Sequence, residues 1–227
     1  MSNESSASPV CVLCGAPDCA PFHQDKFRLY LRCPHCYLVQ VPDHYHLSAE
    51  QERAEYELHN NDPEDPGYRG FLSRLSVPLF ERLPGQAEGL DFGCGPGPAL
   101  ARMFEEQGYS MRLFDPFFAN HPQHLEANYD FITATEVLEH LSQPAEVLNQ
   151  LWSILKPGGW LGIMTKLVIS ETAFANWHYI RDPTHIIFFS QETFLFWGRQ
   201  HQARVEFIGK DVTLIQKPAS QDTQISR

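Results

Sequence analysis

The sequence predicts an α/β protein with a mostly parallel sheet and helices on both faces, preceded by a small cysteine-rich ribbon. Two observations support this prediction. From about residue 90, short apolar strand candidates alternate with helix candidates, the order typical of a parallel sheet. Before residue 42, four cysteines form two Cys-x-x-Cys pairs. That spacing indicates a zinc ribbon rather than a disulfide framework.

Composition and charge narrow the function classes. The 227 residues are 43% hydrophobic and 20% charged, as in ordinary globular proteins. Seventeen basic against 28 acidic residues give a net charge of -11, and the parts before and after residue 70 are both acidic. This balance disfavours a nucleic-acid partner. No apolar run is long enough to span a membrane, and the polar start predicts a cytoplasmic protein.

The ribbon is expected at residues 10–42, after a polar, disordered tail at residues 1–9. Eighteen residues separate the two cysteine pairs, enough chain to fold back and complete a tetrahedral S4 site for a structural Zn²⁺. The predicted metal ligands are Cys11, Cys14, Cys33 and Cys36. Other ligand types nearby, which leave a replacement open, are Cys19, His23 and His35. The alternative is a set of free or redox-active cysteines.

A helical connector is expected at residues 43–84. Ser48 followed by Gln51 has capping-box spacing and predicts a helix to about Leu58. A stretch rich in Asp and Pro then breaks the chain, and a second helix is predicted from about 70 to 83. In this position a helix can cover the pocket of the following domain. Tyr56 and His59 are therefore candidates for contact with a substrate, with a solvated helix surface as the alternative.

The main domain is expected at residues 85–217, before a flexible tail at 218–227. Its candidate strands are 89–92, 110–114, 129–134 and 160–165. Its candidate helices are 98–107, 145–155 and 191–200. Residues 203–217 are typical of two strands joined by a tight turn, which adds an antiparallel hairpin to the sheet.

A glycine-rich turn follows the first of these strands. Gly93, Gly95 and Gly97 allow a ligand to approach the backbone closely. The sixth position of a dinucleotide fingerprint is proline here, and no phosphate-loop lysine is present. Asp91 would repel a pyrophosphate but suits an ammonium group, and Asp115 is placed to bind ribose hydroxyls. A ligand with a ribose, a cationic end and no phosphate is S-adenosylmethionine.

Four motifs in order carry a family resemblance across residues 70–217. They are the glycine turn at 90–97, the acidic strand end at 114–115, residues 129–141, and the Lys-Pro-Gly-Gly turn at 155–161. Together they resemble class I S-adenosylmethionine-dependent methyltransferases, especially the branch related to ubiquinone-pathway methylases. The resemblance implies a Rossmann-like sheet of seven mostly parallel strands.

The resemblance also implies the cofactor contacts. The glycine turn would line the methionine portion, with Asp91 beside its amino group and Asp115 on its ribose. Only 14 residues separate Asp115 from Asp130, and the prolines among them disfavour a helix in the segment that usually supplies the family's adenine contacts. Pro116 and Phe117 are therefore expected to cover the adenine by apolar contact. The predicted cofactor-binding residues are Asp91, Gly93, Cys94, Gly95, Gly97, Asp115, Pro116, Thr135 and Glu136.

The acceptor is expected beside residues 177–185, which precede an aromatic run. His185 is the candidate base or acceptor-positioning group, with Asp182 orienting its ring or that of His178. Trp177 and Tyr179 would wall the pocket. The alternative is that His185 is a helix-capping or core residue. His140 and Cys94 invite catalytic roles too, but packing explains both more simply.

These observations favour an enzyme that methylates a small molecule, with a ribbon whose metal takes no part in the chemistry. Similar cysteine pairs in sugar C-methyltransferases keep a modified sugar among the candidate acceptors. A second interpretation is a methyltransferase of RNA or protein that grips its substrate through the ribbon. The basic residues there, Lys26, Arg28 and Arg32, are too few for phosphate binding to dominate, which leaves a protein partner open. A third is a non-catalytic zinc-bearing interaction module.

Overall fold

The computed structural model of the chain describes residues 9–58 and 62–219. The two expected tails fall almost wholly outside these residues, and so does His59. The strands, in chain order, are β1 Ala20–Gln24, β2 Leu29–Arg32, β3 Val39–Gln40, β4 Glu88–Phe92, β5 Ser110–Phe114, β6 Tyr129–Thr135, β7 Leu155–Met164, β8 Ile187–Phe188, β9 Arg204–Ile208 and β10 Val212–Gln216. The helices are α1 Ala49–Tyr56, α2 Pro66–Phe80, α3 Ala99–Glu105, α4 Pro144–Ile154, α5 Glu171–Ala175 and α6 Gln191–Gln200.

The large sheet has the order β5-β4-β6-β7-β10-β9. Strands β4 to β7 are parallel, and β10 runs antiparallel to both β7 and β9. The predicted antiparallel hairpin is therefore confirmed. Side chains alternate between two buried faces, as the period of two requires. Phe131 packs on one face with α2 and α3, and Ile132 packs on the other with α4 and α6.

The expected count of seven strands is not met, because six strands form this sheet in the described part of the chain. Residues 115–128, between β5 and β6, contain a single bridge between Asp115 and Ala119 and a 3-10 turn at Pro122–Leu125. The segment is too short for a further strand and helix. Pro116 and Pro122 also lack the N–H that a sheet ladder needs.

Hydrogen bonds to capping side chains fix the residues at which the two connector helices begin. The capping box between Ser48 and Gln51 is present at the start of α1, as predicted. Helix α2 begins earlier than the predicted position near residue 70. The Asp65 carboxylate accepts the amides of Gly67 and Tyr68, and Pro66 occupies the first turn, so the helix is fixed from that point. Each helix in the described ranges is too short or too polar to cross a lipid bilayer.

The cysteine-rich segment (residues 10–42) is joined to the main domain by a second sheet. Its strands β1, β2 and β3 form an antiparallel meander, and β3 pairs with β8 from the distant part of the chain. Tyr30 and Val39 pack in one core with Phe174, Ile180 and Phe188. The segment therefore shares both a sheet and a hydrophobic core with residues 174–188.

Candidate functional site

A cavity of about 690 Å³ lies at the carboxyl ends of β4, β5 and β6. This is the edge at which open α/β sheets bind their ligands. Its lining includes residues of the glycine turn, the 114–118 segment, the end of β6 and the 178–185 segment. Side chains of Glu52, Tyr56, Tyr68 and Phe71 come from the two connector helices. The connector thus covers the cavity, although of these four only Tyr56 was predicted.

The glycine turn has the close approach that its sequence predicts. Gly93 and Gly95 have φ values of 73° and 64°, a region that other residues rarely adopt. A Cβ on Gly93 would stand 2.3 Å from a methyl carbon of Val137. Gly93, Cys94 and Gly95 line the cavity. Gly97 belongs to the same turn but stands outside the lining, where its carbonyl accepts the amide of Ala99.

Asp115 ties the glycine turn to the following segment. One carboxylate oxygen accepts the Gly95 amide at 3.0 Å, and the other accepts the amides of Phe117 and Phe118 at 2.9 and 3.1 Å. The oxygen that accepts the Gly95 amide has a second acceptor site, so a ligand hydroxyl can still bond to it. Pro116, Phe117 and Phe118 line the cavity beside it. Their apolar surface suits a flat aromatic ring; Phe118 was missed.

Asp91 lies beneath this turn rather than in the cavity lining. It is buried at the end of β4, where its carboxylate accepts the Thr133 hydroxyl at 2.7 Å. Burial raises the pKa of Asp91 to about 7, against the lowering effect of the Thr133 hydrogen bond. The nearby charge of Asp115 adds to the increase. A cation bound above the turn would favour the ionised form.

We expect the affinity for S-adenosylhomocysteine to depend on pH through Asp91. Because its pKa is raised, the group is protonated in the free protein below about pH 7. An ammonium ligand needs the carboxylate, so binding below that pH releases a proton and weakens. The dissociation constant should be about tenfold larger at pH 6 than at pH 8, as measured by calorimetry. Asp91→Asn should bind weakly with a flat profile; an unchanged profile would contradict the assignment.

Two polar side chains lie at the end of β6 with a buried oxygen each that no described residue contacts by a hydrogen bond. Thr135 and Glu136 both line the cavity, and an oxygen of each is buried without a hydrogen bond among the described residues. Glu136 has a φ of 51°, which is uncommon outside glycine. Burial and the neighbouring Glu139 raise the pKa of Glu136 to about 8. Unpartnered buried oxygens of this kind are rare and call for a ligand.

A buried polar cluster adjoins the cavity, and its members His140, Tyr179 and His185 belong to the lining. Glu139 is completely buried; one carboxylate oxygen accepts the Tyr179 hydroxyl, and the other has no partner among the described residues. The centroid of the His185 ring is 4.1 Å from that of Tyr179, with the two planes tilted by 51°, and 4.8 Å from that of His140. Ligand atoms of Glu139, His140 and His185 all lie within 4.8 Å of one another. Burial raises the pKa of Glu139, and His185 opposes that increase.

The His185 ring is held in one orientation. Its Nδ1 is 2.8 Å from the Tyr179 carbonyl oxygen, which can only accept, so Nδ1 carries the proton and Nε2 is the free acceptor. Asp182 faces Nε2 at 3.7 Å, while its other oxygen accepts the Thr184 hydroxyl and amide. Burial lowers the pKa of His185, so the ring is neutral near pH 7. The sequence did not indicate the Tyr179 carbonyl contact.

The remaining candidates are divided between two cavities. Tyr56 lines the main cavity, donates to Glu52 at 2.6 Å, and contacts the His140 ring edge-on. His178 lines it too, with its Nε2 at 2.9 Å from the Lys166 ammonium. Trp177 lines an adjacent cavity of about 310 Å³ instead. Of the two residues expected to wall the acceptor pocket, Tyr179 lines the main cavity and Trp177 lines the adjacent one.

The four predicted metal ligands lie together, away from the cavity. Cys11 and Cys36 are 3.5 Å apart, as are Cys14 and Cys33, and all four sulfurs lie within 4.8 Å of one another. A tetrahedral zinc with bonds of about 2.3 Å would separate its sulfurs by about 3.8 Å. A hydrogen bond from the Cys36 thiol lowers the pKa of Cys11, which favours the thiolate form that a zinc ligand needs.

The two Cys-x-x-Cys turns have the same backbone geometry. In each, the first cysteine amide bonds to the carbonyl five residues later, Cys11 to Ala16 and Cys33 to Leu38. The residue after each pair, Gly15 or Tyr37, takes a positive φ.

Two further thiols stand outside this group of four: Cys19, which adjoins the cluster, and Cys94 in the glycine turn. Burial raises the pKa of each to about 12, so both remain neutral. A neutral thiol favours a packing role for Cys94.

Comparison with known proteins places the fold. Residues 66–206, more than half of the chain, match a family model described as "Methyltransferase domain". A stretch of 74 residues is 34% identical to the ubiquinone biosynthesis O-methyltransferase of Yersinia pestis, covering 33% of this chain and 31% of that protein. The chain therefore spans less than a third of the length of this curated relative.

Two solved structures from Burkholderia thailandensis have the same fold. One is 1,6-didemethyltoxoflavin-N1-methyltransferase with bound 1,6-didemethyltoxoflavin and S-adenosylhomocysteine; the TM-score is 0.51 at 16% identity, covering 87% of this chain and 99% of that chain. The other is an O-methyltransferase family protein with a TM-score of 0.50 at 17% identity, covering 75% and 64%. The chain belongs to the methyltransferase family that its residues 66–206 match.

Proposed function

We propose that the enzyme transfers a methyl group to an ionisable hydroxyl of a small molecule. The observation that carries this proposal is the polar cluster around His185, which lines the same cavity of about 690 Å³ as the glycine turn and Asp115. That volume is in the range of small-molecule sites. The name of the Yersinia relative, an O-methyltransferase, agrees with an oxygen acceptor.

The residues at the sheet edge fit S-adenosylmethionine. The glycine turn can receive the methionine portion above Asp91, and Asp115 can accept a ribose hydroxyl. The adenine would lie against Pro116, Phe117 and Phe118. Thr135 and Glu136, with their unpartnered buried oxygens, would lie at the sulfonium end. When bound, the cofactor supplies a methyl carbon whose bond to sulfur breaks as the acceptor oxygen attacks, leaving the electron pair on sulfur.

His185 would act as the base in this reaction. The Tyr179 carbonyl holds the proton on Nδ1, so Nε2 can accept the proton of the acceptor hydroxyl as the oxygen attacks. The Asp182 carboxylate, 3.7 Å from Nε2, would stabilise the positive charge that then forms on the ring. Glu139 adds a second carboxyl beside the ring. The connector helices and the 178–185 segment would exclude water from this step.

The cysteine cluster would hold one structural Zn²⁺ outside the chemistry. Its S4 donor set, its sulfur spacing and the matching geometry of the two turns all fit a closed tetrahedral site. The residues that line the main cavity all come from positions 52 to 185, so the cluster takes no part in the lining. Metal analysis of the purified protein should give one zinc per chain.

A nucleic-acid acceptor has less support. Of the basic residues in the cysteine-rich segment, Arg28 is buried with its guanidinium on backbone carbonyls. The Arg32 guanidinium is stacked on Phe22 and Tyr37. Two of the three cations are therefore already engaged within the chain. A protein acceptor remains the alternative to be tested.

A radiolabel experiment tests the proposal. The zinc-replete enzyme is incubated with tritium-labelled S-adenosylmethionine and separate panels of phenols and catechols, hydroxylated sugars, amines, total RNA and a protein mixture. We expect label in a hydroxylated small molecule, with the macromolecular fractions unlabelled. Transfer to protein or RNA, or only to amines, would contradict the proposed acceptor class.

A further inference from the structure

Arg28, from the cysteine-rich segment, reaches across to the wall of the main cavity. Its side chain is only 7% exposed, and its guanidinium has five N–H donors. Each donor has an acceptor: Nε bonds to the Tyr30 hydroxyl at 3.2 Å, and the terminal nitrogens bond to four backbone carbonyls. These carbonyls belong to Ile180, Asp182, Pro183 and His185.

The backbone carbonyls of the 180–185 segment need a hydrogen-bond donor of this kind. A 3-10 turn ends at Arg181, and the chain then continues through Pro183, which has no amide hydrogen. Four carbonyl oxygens consequently converge on one buried point, where their dipoles repel each other. Buried carbonyls without donors carry a substantial cost, and a cation between them removes it. The Tyr30 hydroxyl, which also contacts Ile180 O at 3.2 Å and Asp25 at 3.0 Å, completes the network.

The other side of the same segment faces the cavity. The His185 carbonyl accepts a hydrogen bond from Arg28 at 2.9 Å, while the His185 ring lies in the polar cluster. The Asp182 carbonyl likewise accepts a hydrogen bond from Arg28 at 2.9 Å, and the Asp182 carboxylate lies at the cavity. The ring of His185 is held by the carbonyl of Tyr179, the neighbour of another Arg28 partner, Ile180. The backbone on both sides of the ring is therefore set by one guanidinium.

We propose that Arg28 is a positioning residue, which holds the 180–185 segment in the conformation that aims His185 and Asp182 into the cavity. The cysteine-rich segment is then an internal brace of the acceptor wall rather than a site for an external partner. The inference rests on the proposed function only in treating this wall as the acceptor's.

The role is separable from general docking of the segment. Pairing of β3 with β8 does not involve the Arg28 guanidinium, and the shared aromatic core meets it through Tyr30, while Phe22, Phe174 and Phe188 pack on one another. Arg28→Ala should therefore leave the segment attached while freeing four carbonyls. Arg28→Lys keeps a cation but has three donors, too few for all five acceptors. Arg32→Ala is the matched control, because that guanidinium stacks on Phe22 and Tyr37 instead.

Two readouts follow the segment without any acceptor. Hydrogen exchange of a peptide spanning 178–186 should become at least about tenfold faster in Arg28→Ala, with a smaller change in Arg28→Lys. In protein labelled with ¹⁵N-histidine, the His185 Nδ1–H resonance, assigned by its absence from His185→Asn, should vanish in Arg28→Ala. Arg32→Ala should match the wild type in both. Zinc content and affinity for S-adenosylhomocysteine should stay within about twofold throughout.

Unchanged exchange and an unchanged His185 resonance in folded Arg28→Ala would overturn the proposal. If the alanine variant does not fold, Arg28→Lys decides by the same criteria. Equal loosening in Arg32→Ala would also overturn it, since the effect would then be general destabilisation. A wild type that shows these signals but methylates no small molecule would refute the proposed function and leave the positioning role intact.

Discussion

His185→Asn should lower kcat for the acceptor found in the radiolabel screen by about 10²–10⁴-fold, the usual contribution of a general base. The ring nitrogen that takes the proton is lost, whereas the glycine turn and Asp115 are untouched. Affinity for S-adenosylhomocysteine should therefore change by less than about twofold. The measurement is steady-state kinetics beside calorimetric titration of each variant.

Two controls make that result specific. His44→Asn removes an exposed histidine from another part of the chain and should retain full activity. A chelator, used at a concentration that leaves the cysteine-bound zinc in place, should have no effect on the wild type. Activity retained by His185→Asn would contradict the base assignment. Loss of wild-type activity on chelation would indicate instead that Glu139, His140 and His185 bind a metal cation.

Cys36→Ser should abolish zinc binding and with it the acceptor wall. Binding of zinc by four thiolates contributes on the order of 10–16 kcal/mol to small sites, so the cysteine-rich segment should not stay folded without it. Because β8 and the Arg28 contacts depend on that segment, amide protection should be lost across residues 174–188 as well. Methyl transfer should fall by at least about tenfold, while S-adenosylhomocysteine still binds.

The matched control for this variant is Cys19→Ser. Cys19 is buried beside the cluster, but its thiol is neutral and lies outside the group of four. The Cys19→Ser variant should retain one zinc per chain, as measured by metal analysis. Zinc lost from Cys19→Ser and retained by Cys36→Ser would contradict the ligand assignment. Simultaneous loss of cofactor binding in Cys36→Ser would contradict the separation of the two parts.

Local patterns predicted the parts of this molecule that are built locally. The Cys-x-x-Cys turns, the Ser48 capping box and the glycine turn each depend on residues within a few positions of one another, and each forms as expected. The order of strands and helices followed from the same short-range signals. The start of α2 was placed too late because Asp65 lies inside a stretch that looks like a loop breaker.

Contacts between distant parts of the chain were not predictable in the same way. The carbonyl partners of Arg28 lie more than 150 residues away, and on the sequence alone it was one of a few basic residues in the ribbon. Glu139 was noted only as part of a motif; it is buried because a 3-10 turn at Leu138–His140 turns it towards Tyr179. The pairing of β3 with β8 has no sequence signal beyond two short apolar runs.

The central claim is that the cavity at the carboxyl ends of β4, β5 and β6 holds the cofactor. Calorimetric titration of zinc-replete protein with S-adenosylhomocysteine tests it most directly. The predicted result is saturable one-site binding that Asp115→Ala weakens by at least about 100-fold, since the variant loses both a ribose contact and the support of Gly95. Exposed Asp43→Asn should bind normally. No binding by well-folded protein, or undiminished binding by Asp115→Ala, would contradict the claim.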